Sequence, residues 1–555
     1  MFLQTRITAP LLAAAIALAN PASENYDYVI ELFSTQVGGG TAGLTAAARL
    51  TENSNIKVAV IEAGGTQLPT IPQTSAGGRV YTHTQGKTLG GSSAINGAVY
   101  FRPDVREFDA IEALGAKGWT WEKFLEYFKR SEHFTATGET FGLEPNTSAH
   151  GVDGPIHVSL QHNVSSFFAE YAIPTIQSVD QPLNGDNSDG NTVGATSQQF
   201  SIYDGTYNRS YAANAYYFPN QNRENLKVFT DSLVSKIIWG EDEDGLAVAT
   251  GVEYITDNGT ESLNAKNIIV SAGALNTPKV LELSGIGDAS HLESLGIDVK
   301  VNNEGVGTNL QNHISSNVVF RLKEGVVKGS ETQAAVIDLV SAQQLLTEED
   351  QAKSAEILST PSKAISQSQF DASKKLIADG LPQIEINWGL QNSSGGRVTL
   401  QFTNTVLHAF SRGFVEHSTP TRRTLIRSPR STPTTHDLFY LARSILYVRN
   451  YTTTEPLASL IESEIAPGAD YTTAEDIERW VVPNFWTMSH FIGTAAALPK
   501  EDSGVVDPET LVVYGTSNVR VADCSVIPFL PGIHTESIAY AIGEWVADIL
   551  KQEKN

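Results

Sequence analysis

The residues with the clearest chemical potential form a glycine-rich loop near the N-terminus. Gly38, Gly40 and Gly43 have the spacing G-x-G-x-x-G and lead into an alanine-rich segment, residues 46–50. In such a loop the first glycine permits a tight turn, the second lets the backbone approach a pyrophosphate, and the third lets a helix pack closely on a strand. The phosphates then lie at the helix N-terminus, where unpaired N–H groups and the helix dipole favour an anion. The loop therefore predicts a dinucleotide-binding site.

An acidic residue follows at the distance that this interpretation requires. The strand-like run 58–61 ends at Glu62, close to the spacing of about 20 residues expected for a carboxylate that binds the ribose. An isolated G-x-G-x-x-G is weak evidence, and Glu62 at a strand end could be an ordinary solvated carboxylate. The two features together favour the ribose-binding role.

A strand should precede the glycine loop and position it. Residues 26–30 are expected to form this first strand, which in a dinucleotide fold runs directly into the turn. The segment Glu31–Gln36 interrupts that continuity. It either loops out or shifts the strand register, and a one-residue shift turns every side chain to the other face.

A second glycine-rich segment covers residues 87–100. Its small residues would let the backbone approach a large flat ligand, while Ser92, Ser93 and Asn96 offer hydrogen-bond partners. Taken alone, this segment would be interpreted as a polar loop.

Further periodic segments alternate with weaker ones along the chain. Trp121, Phe124 and Phe128 lie on one helical face behind Thr120, which suits an N-cap, and this helix is expected to be plain core. Residues 134–225 should form loops and short strands over a binding cavity. The other expected elements are strands in 226–238, 268–270, 383–388, 397–402 and 505–522, a helix near Pro278, an exposed loop in 418–435 and a helix over 538–550. The dinucleotide fold is therefore expected to be assembled from three separated segments.

The composition bounds the class of protein. At 555 residues a single core is not expected, so the chain should form two domains or one interleaved unit. Contents of 41% hydrophobic and 18% charged residues are ordinary for a soluble globular protein. The net charge of −24 argues against nucleic acid or an anionic membrane as a partner.

The first residues resemble a secretory signal peptide. Arg6 supplies a positive charge, residues 11–18 form an apolar run too short to span a bilayer, and residues 17–19 offer a small-residue cleavage site. Removal of residues 1–19 would leave a secreted or secretory-pathway protein. Cys524 is the only cysteine, so no intrachain disulfide can form. Acceptor sequons that permit N-glycosylation begin at Asn146, Asn163, Asn208, Asn258, Asn392 and Asn450.

In combination these motifs resemble those of the glucose-methanol-choline (GMC) oxidoreductases, especially the fungal aryl-alcohol-oxidase-like members. The resemblance runs from about residue 26 to residue 550. Besides the glycine loop, residues 86–96 are similar to the first family signature and residues 273–287 to the second. Residues 306–313 resemble a further family stretch, in which Asn312 replaces the usual Asp. The segments 490–494 and 521–528 complete the set.

The resemblance implies an α/β fold (α+β overall). A Rossmann-like FAD-binding domain would be assembled from the discontinuous segments 26–110, 226–320 and 500–555. An antiparallel-sheet substrate-binding domain would comprise residues 111–225 and 321–499. The dinucleotide would be FAD, which the motif spacing alone does not distinguish from NAD.

The resemblance also implies which residues contact FAD. On the adenosine side, Thr41 and Ala42 would contact the pyrophosphate, Glu62 the ribose with Ala63 beside it, and the backbone of Val234 the adenine. On the flavin side, the expected residues are Asn96, Gly97, Ala98 and Val99, with Cys524, Thr535 and Glu536 near the ribityl chain and the pyrimidine edge. Cys524 replaces the family's usual small residue. Ala94 stands where some members carry a flavin-bonded histidine, so FAD is expected to be non-covalent, and no metal site is expected.

His490 and His534 resemble the two active-site residues that face the flavin ring in this family. Oxidation of an alcohol removes a hydroxyl proton and a hydride from the same carbon. With the hydride passing to flavin N5, the protein must supply a base and a group that stabilises developing alkoxide charge. Histidine suits both tasks because its unperturbed pKa of about 6.5 leaves it largely neutral near pH 7. His490 is expected to be the base and His534 the hydrogen-bond partner of the substrate oxygen.

The expected function is FAD-dependent oxidation of the CH–OH group of an aromatic or hydrophobic alcohol, with oxygen or a quinone as electron acceptor. One alternative is a secondary-metabolite pathway enzyme of the same family that acts on one dedicated intermediate. Another is a secreted homologue that has lost catalysis. The segment Glu31–Gln36 and the basic stretch 421–430 support that second alternative, although both could instead reflect misread coding sequence.

Overall fold

The structure is a computed structural model that describes residues 25–32, 39–64, 84–327, 333–360, 365–392, 397–416 and 434–553. Its strands are β1 (Asn25–Leu32), β2 (Val58–Glu62), β3 (Glu132–Thr135), β4 (Ile156–Leu160), β5 (Gly194–Ser197), β6 (Gln199–Phe200), β7 (Leu226–Phe229), β8 (Leu233–Trp239), β9 (Ala249–Thr256), β10 (Gly259–Val270), β11 (Ile286–Gly287), β12 (Val301–Asn302), β13 (Ile314–Leu322), β14 (Gln333–Ser341), β15 (Pro382–Asn392), β16 (Val398–Val406), β17 (Ile461–Ala466), β18 (Trp486–Thr487) and β19 (Val519–Val521). Its α-helices are α1 (Thr41–Leu50), α2 (Val105–Ala113), α3 (Trp121–Ser131), α4 (Ile173–Ser178), α5 (Thr277–Leu283), α6 (Ala289–Ser294), α7 (Ala342–Leu345), α8 (Glu348–Ile357), α9 (Gln367–Ala378), α10 (Thr435–Thr453), α11 (Ala474–Asn484) and α12 (Glu536–Glu553).

The first sheet has seven strands in the order β7-β2-β1-β10-β9-β8, with β19 pairing β10. The strands β7, β2, β1, β10 and β19 pair in parallel, whereas β9 and β8 extend the sheet antiparallel. Every residue of β2 is buried, as expected for a parallel strand covered on both faces. The sheet draws its strands from 25–62, 226–270 and 519–521. The predicted α/β fold assembled from discontinuous segments is therefore confirmed.

The strand β1 continues beyond its predicted end. Glu31 pairs with Ile61 on one side and Val270 on the other, and Leu32 pairs with Glu62. The prediction that the strand stops at residue 30 is therefore wrong by two residues, because parallel partners remain available on both sides. Residues 33–38, which include Gly38 and the rest of the interrupting segment, lie outside the described residues.

The second sheet also has seven strands, in the order β17-β13-β16-β15-β14-β5, with β18 pairing β13. Its pairs are antiparallel. The strands predicted in 383–388 and 397–402 are confirmed as β15 and β16. No sequence pattern predicted β14 or the 19-residue helix α10, which packs on β13, β15 and β16. The start of α10 carries a capping box formed by Thr434 and Asp437.

Several helices begin where the sequence predicts. Thr120 caps α3 by accepting a hydrogen bond from the amide of Lys123, and Pro278 lies in the first turn of α5.

Of the strands predicted in 505–522, the structure contains only β19. Val506, Val512 and Val513 form isolated bridges, and Leu511 has a left-handed φ of 58° that breaks the extended chain.

The helix α12 packs against α1 at the first sheet. A Cβ on Gly543 of α12 would lie 2.5 Å from the carbonyl oxygen of Ala42 and 2.7 Å from Cβ of Thr45, so the glycine permits close contact. Among the helices that the structure describes, none is long and apolar enough to cross a membrane. The domain boundaries stay a prediction.

Candidate active site

A cavity of about 550 Å³ lies where the N-terminal end of α1 meets the second sheet. Ten predicted site residues line this cavity: Thr41, Asn96, Gly97, Ala98, Val99, His490, Cys524, His534, Thr535 and Glu536. Most of its other walls come from β14, β15, β16 and residues 486–489. Residues 134–225 contribute none of the lining side chains, so the prediction that they cover this cavity is wrong. Strands β14, β15 and β16 of the second sheet cover it instead.

The other predicted residues that the structure describes lie at the start of α1, at the end of β2 and in β8. Gly40 precedes α1, and Ala42 and Gly43 are buried in its first turn. Ala63 follows β2 and is 6% exposed. Val234 lies in β8, two residues after Ser232, whose amide donates to the carbonyl oxygen of Glu62 at 2.8 Å.

Glu62 ends β2 beside the glycine loop, and only one of its two carboxylate oxygens has a hydrogen-bond partner among the described residues. Its Oε1 accepts a hydrogen bond from the amide of Gly64 at 2.6 Å, whereas the buried Oε2 has no hydrogen-bond partner within the described residues. A Cβ on Gly39 would lie 3.3 Å from this Oε2 and 2.7 Å from the side chain of Leu89. Burial raises the pKa of Glu62 well above its usual range. A hydroxyl that donates to Oε2 would offset the cost of burying this acceptor, which suits the ribose of a dinucleotide.

The N-terminal end of α1 can hold an anion. Gly40 is the N-cap residue and offers no side-chain hydrogen bond, and no acidic residue occupies the first turn. The first N–H groups of a helix have no partner within the helix. Thr41 brings this end of α1 to the cavity, so a pyrophosphate there would meet the first amides of the helix and the positive end of the helix dipole.

Residues 96–99 form a tight turn along the cavity wall. Oδ1 of Asn96 accepts a hydrogen bond from the amide of Ala98 at 3.0 Å, and Ala98 has a left-handed φ of 59°. Strained non-glycine residues of this kind cluster at functional sites. Nδ2 of Asn96 donates to Oε2 of Glu536 at 2.9 Å, and burial raises the pKa of Glu536 to about 7. This pair joins the turn to the start of α12.

Cys524 lies in the cavity wall as a neutral thiol. Burial, followed by the negative charge of Asp523, raises the pKa of Cys524 to about 12. Asp523 accepts hydrogen bonds from the amide of Gly273 at 2.8 Å and from the hydroxyl of Thr277 at 2.6 Å. A thiol so far from ionisation is a poor nucleophile near neutral pH. Cys524 therefore affects the site through its size.

The rings of His490 and His534 lie with their centroids 4.8 Å apart. Burial lowers the pKa of His490 well below 6.5, and electrostatic repulsion between its protonated form and the neighbouring rings of His534 and His313 lowers it further. His490 is therefore a neutral imidazole near pH 7, the form that accepts a proton. Nε2 of His534 lies 3.1 Å from Oε1 of Glu385, so this carboxylate orients the second ring. The alternation in 383–388 predicts the strand that carries Glu385, but no sequence signal pointed to its contact with His534.

The segment 309–313 anchors the loop that carries His490. The backbones of Gln311 and Ile492 exchange two hydrogen bonds. Oδ1 of Asn312 accepts a hydrogen bond from the amide of His490 at 2.8 Å. Asn312 therefore keeps the acceptor that the usual Asp would supply, without placing a negative charge beside His490.

His313 lies behind His490 and was not predicted as a site residue. Its Nδ1 is 2.8 Å from Nδ1 of His490. Its Nε2 is 2.9 Å from the carbonyl oxygen of Leu407 and 3.0 Å from that of Pro531. His313 thus contacts both histidine-bearing loops. The available sequence signal was its place in the stretch 306–313.

One face of β15 and β16 carries polar groups into the cavity. Side chains alternate between the two faces of a strand, so every second residue points the same way. The residues on the cavity side are Glu385, Asn387, Gly389 and Gln391 of β15 and Gln401 and Thr403 of β16. Asn387 pairs with Thr403 across the two strands. We call this set the polar face.

Two family models described as GMC oxidoreductase match the chain, over residues 34–315 and 409–543. The GMC oxidoreductase family protein Mala s 12 of Malassezia sympodialis is 34% identical over an alignment of 589 positions. The alignment covers 95% of this chain and 92% of that protein. An FAD-dependent oxidoreductase from Chaetomium thermophilum has a similar structure with a TM-score of 0.85 and 28% identity, covering 96% of this chain and 100% of that one. A fungal aryl-alcohol oxidase has a TM-score of 0.84 and 25% identity, covering 95% and 99% of the two chains.

Proposed function

The chain belongs to the GMC oxidoreductase family, and on that premise we propose that it oxidises the CH–OH group of an aromatic or otherwise hydrophobic alcohol. The observation that carries this proposal is the histidine pair. His490 and His534 lie 4.8 Å apart in the wall of a cavity that also reaches residues 96–99 and the N-terminal end of α1. Removal of a proton and a hydride from one carbon requires a base and an electron acceptor at the same place.

The residues present fit FAD, the cofactor of this family. The first amides of α1 suit its pyrophosphate, Oε2 of Glu62, which has no hydrogen-bond partner among the described residues, suits its ribose, and residues 96–99 with Thr535 and Glu536 would hold the flavin end. When bound, FAD supplies the hydride acceptor. We propose that the attachment is non-covalent, because the methyl group of Ala94 offers no atom that could bond to it.

The two histidines would divide the remaining chemistry. His490, neutral because of its lowered pKa, accepts the hydroxyl proton of the alcohol. His534 stabilises the negative charge that develops on the substrate oxygen, while Glu385 holds its ring from the other side. Histidine is suited to both roles because its ring can accept or donate a proton near neutral pH.

The apolar part of the cavity supports an aromatic substrate. Ile95, Trp486 and Met488 line it, and burial of a ring against such side chains is favourable. The similar Chaetomium protein was solved with a fragment that carries pyridine and thiophene rings, and the other similar structure is an aryl-alcohol oxidase.

A second candidate is a secondary-metabolite pathway enzyme that acts on one dedicated intermediate. The polar face favours it, because Asn387, Gln391 and Gln401 offer amide groups beyond the histidine pair. Successive cavity-facing residues of a strand lie about 6.6 Å apart. They would therefore meet hydroxyl or carbonyl substituents about one ring away from the reacting carbon.

We also propose that the protein enters the secretory pathway and is glycosylated. The Asn residues of all six sequons are exposed, so none would resist glycosylation by burial. Removal of N-glycans should increase the gel mobility of the native protein, and N-terminal sequencing should begin after residue 19. An unchanged mobility and an intact N-terminus would contradict this assignment.

The first experiment is the visible absorption spectrum of the purified native protein, before and after acid precipitation. A flavin spectrum that moves to the supernatant supports bound, non-covalent FAD. Flavin that stays with the precipitate contradicts the non-covalent attachment. A colourless protein that takes up no added FAD would support the catalytically impaired homologue.

The second experiment is anaerobic mixing of the flavin-containing protein with alcohols. Benzylic alcohols should bleach the flavin absorption, and His490→Ala should slow this by about 10²- to 10⁴-fold, as expected for loss of a general base. His162→Ala, outside the cavity, is the matched control. Bleaching only by polyhydroxylated aromatic compounds would favour the second candidate. Reoxidation by air or by a quinone then distinguishes an oxidase from a dehydrogenase.

A further inference from the structure

The value of His490 as a base depends on which ring nitrogen carries its proton. A neutral imidazole has one N–H group and one nitrogen lone pair. Nδ1 of His490 faces Nδ1 of His313 at 2.8 Å, so this atom is not available to a substrate. His490 can serve as a base only if Nε2 holds the lone pair.

The surroundings of His313 fix its own proton. Its Nε2 lies 2.9 Å from the carbonyl oxygen of Leu407 and 3.0 Å from that of Pro531. Carbonyl oxygens only accept hydrogen bonds, so Nε2 of His313 must carry a hydrogen. His313 is 1% exposed. Burial, together with electrostatic interactions with His534 and His408, lowers its pKa to about 3, so His313 is neutral and its Nδ1 holds a lone pair.

This lone pair determines the proton position on His490. Two ring nitrogens 2.8 Å apart form a hydrogen bond only when one of them donates. Nδ1 of His313 accepts, so Nδ1 of His490 must donate. His490 is also neutral near pH 7, and its second nitrogen, Nε2, is therefore unprotonated. Within the described residues, no hydrogen bond occupies this Nε2.

The nearby carboxylates contact other histidines and do not disturb this arrangement. Oε1 of Glu385 lies 3.1 Å from His534, and Oε1 of Glu107 contacts His408. A carboxylate on His313 would favour the imidazolium form through its full negative charge, whereas the two carbonyl oxygens carry no net charge and the rise in pKa that their hydrogen bonds cause is outweighed by burial. The segment 309–313 therefore delivers an acceptor, not a charge, to His490.

We propose that His313 is a positioning residue that fixes the proton of His490 on Nδ1 and leaves Nε2 as the lone-pair acceptor in the cavity. The inference rests on the proposed function, because it names the atom through which His490 would accept the hydroxyl proton. It extends that function by adding a residue that contacts neither substrate nor cofactor. The backbone also supports it, since the carbonyl of His313 accepts a hydrogen bond from Met488 two residues before His490.

A crossed pair of substitutions separates this role from a structural one. An Asn side chain places its amide near the Nδ1 position of a histidine, and a Gln side chain places its amide near the Nε2 position. His313→Asn therefore keeps an acceptor for His490 and loses the contacts with Leu407 and Pro531. His313→Gln keeps those contacts and loses the acceptor.

The kinetic readout is the rate of flavin reduction under saturating alcohol, with flavin content and the unfolding temperature as checks on folding. We expect His313→Gln to lower kcat by about 10- to 1,000-fold with little change in KM, because a histidine in the wrong tautomer loses its function as a base. His313→Asn should retain more activity than His313→Gln even if it is the less stable variant. If activity follows stability instead, so that the Gln variant is the more active, the proposal is overturned.

A second readout does not depend on turnover. Nitrogen NMR of protein labelled with ¹⁵N-histidine distinguishes protonated from unprotonated ring nitrogens, and His490→Ala identifies the signals of His490 by their loss. In the wild type, Nδ1 of His490 should be protonated and Nε2 unprotonated, and His313→Gln should mix the two forms. The proposal is contradicted if His490 of the wild type is protonated on Nε2, or if the tautomer of His490 is unchanged in His313→Gln. If no alcohol is oxidised, the proposed function fails while this result still decides the proton position.

Discussion

Individual side chains in the cavity take their chemical state from the loss of contact with water. Burial lowers the pKa of His490 well below 6.5, raises that of Glu536 to about 7 and raises that of Cys524 to about 12. In each case a low-dielectric environment disfavours the charged form. The cavity wall therefore keeps His490 as a neutral imidazole and Cys524 as an unreactive thiol at neutral pH, which suits reaction with an uncharged alcohol.

The pH dependence of flavin reduction tests the state of His490. Because its pKa is lowered, the rate constant should stay constant from neutral pH to below pH 6.5 and fall only at lower pH. Asn312→Asp places a carboxylate at the atom that now accepts the His490 amide at 2.8 Å. The added negative charge should raise the pKa of His490 and move the acid limb to higher pH.

Stopped-flow reduction over the pH range provides the measurement, and the exposed substitution Asn258→Asp is the matched control. A wild-type acid limb at or above pH 6.5 would contradict the lowered pKa. An unshifted limb in Asn312→Asp would show that this position does not control the charge of His490.

At the scale of elements, the contact between α1 and α12 depends on the absence of a side chain at Gly543. We expect Gly543→Ala to lower the unfolding temperature, although alanine favours a helix by about 1 kcal/mol relative to glycine. The new Cβ would lie 2.5 Å from the carbonyl oxygen of Ala42, and backbone that must move typically costs about 1–3 kcal/mol. Ala42 lies in the first turn of α1, so FAD affinity should also fall. Gln552→Ala, exposed on the same helix, is the control, and a Gly543→Ala protein of equal or higher stability would refute the steric argument.

A buried network of charges joins β3 to the loops that precede α2, β4 and β5. Glu132 lies between Arg102 and His150, and Oδ2 of Asp186 is 2.8 Å from Nε2 of His150. Burial alone would lower the pKa of His150, but the charge of Glu132 and the bond to Asp186 outweigh it and raise that pKa. Burial alone would raise the pKa values of the Glu132 and Asp186 carboxyls. Arg102 and His150 stabilise the charged form of Glu132, and His150 stabilises the charged form of Asp186. These interactions outweigh burial and lower both pKa values.

These shifts predict a pH window for the stability of the network. A histidine whose pKa is raised on folding contributes its full stability below its pKa in the unfolded chain, about 6.5. This contribution is lost as the pH rises through its pKa in the folded protein. The carboxyl groups, whose pKa values are lowered, contribute stability above about pH 4, and this stability is lost as the pH falls through their pKa values in the folded protein. The contribution should therefore be greatest between about pH 4 and pH 6.5.

His150→Gln should lower the unfolding temperature most within that window and flatten the decline above pH 6.5. Breaking a buried ion pair costs about 3–5 kcal/mol, so the effect should be large. Thermal unfolding followed from pH 4 to pH 9 measures it, with the partly exposed His162→Gln as control. A variant with the same pH dependence as the wild type would exclude a charged His150.

At the scale of the whole molecule, the cavity takes its walls from the second sheet, from α1 and α12 and from the segment 92–99, so a ligand in it stabilises contacts between distant parts of the chain. Removal of FAD should lower the unfolding temperature, and added FAD should restore it by mass action. At 100 times its Kd, a ligand contributes about 2.7 kcal/mol. Glu62→Leu keeps the volume but removes the ribose acceptor. It should need higher FAD concentrations for the same shift, without destabilising the apoprotein. Equal FAD affinity of this variant and the wild type would exclude Glu62 from the ribose site.

Local regularities in the sequence predicted much of the frame. Alternation located β15 and β16, the spacing of Trp121, Phe124 and Phe128 located α3, and the glycine spacing located the start of α1. The helix α10 was missed because its environment is set by packing on the second sheet and by Asp437, which is buried. Neither feature shows in a short window of residues.

The sequence by itself determined the family, the fold class and the positions of the histidine pair, because these follow from short motifs whose residues act close to where they lie in the chain. Only the tertiary structure decided what surrounds that pair. Glu385 meets His534 across 149 positions, and His313 meets His490 across 177. The sequence does not show that Asn387 and Gln401 share one cavity, because strand direction and sheet order place them there. Burial, which sets the proton position and charge of each group, is likewise a property of the folded chain.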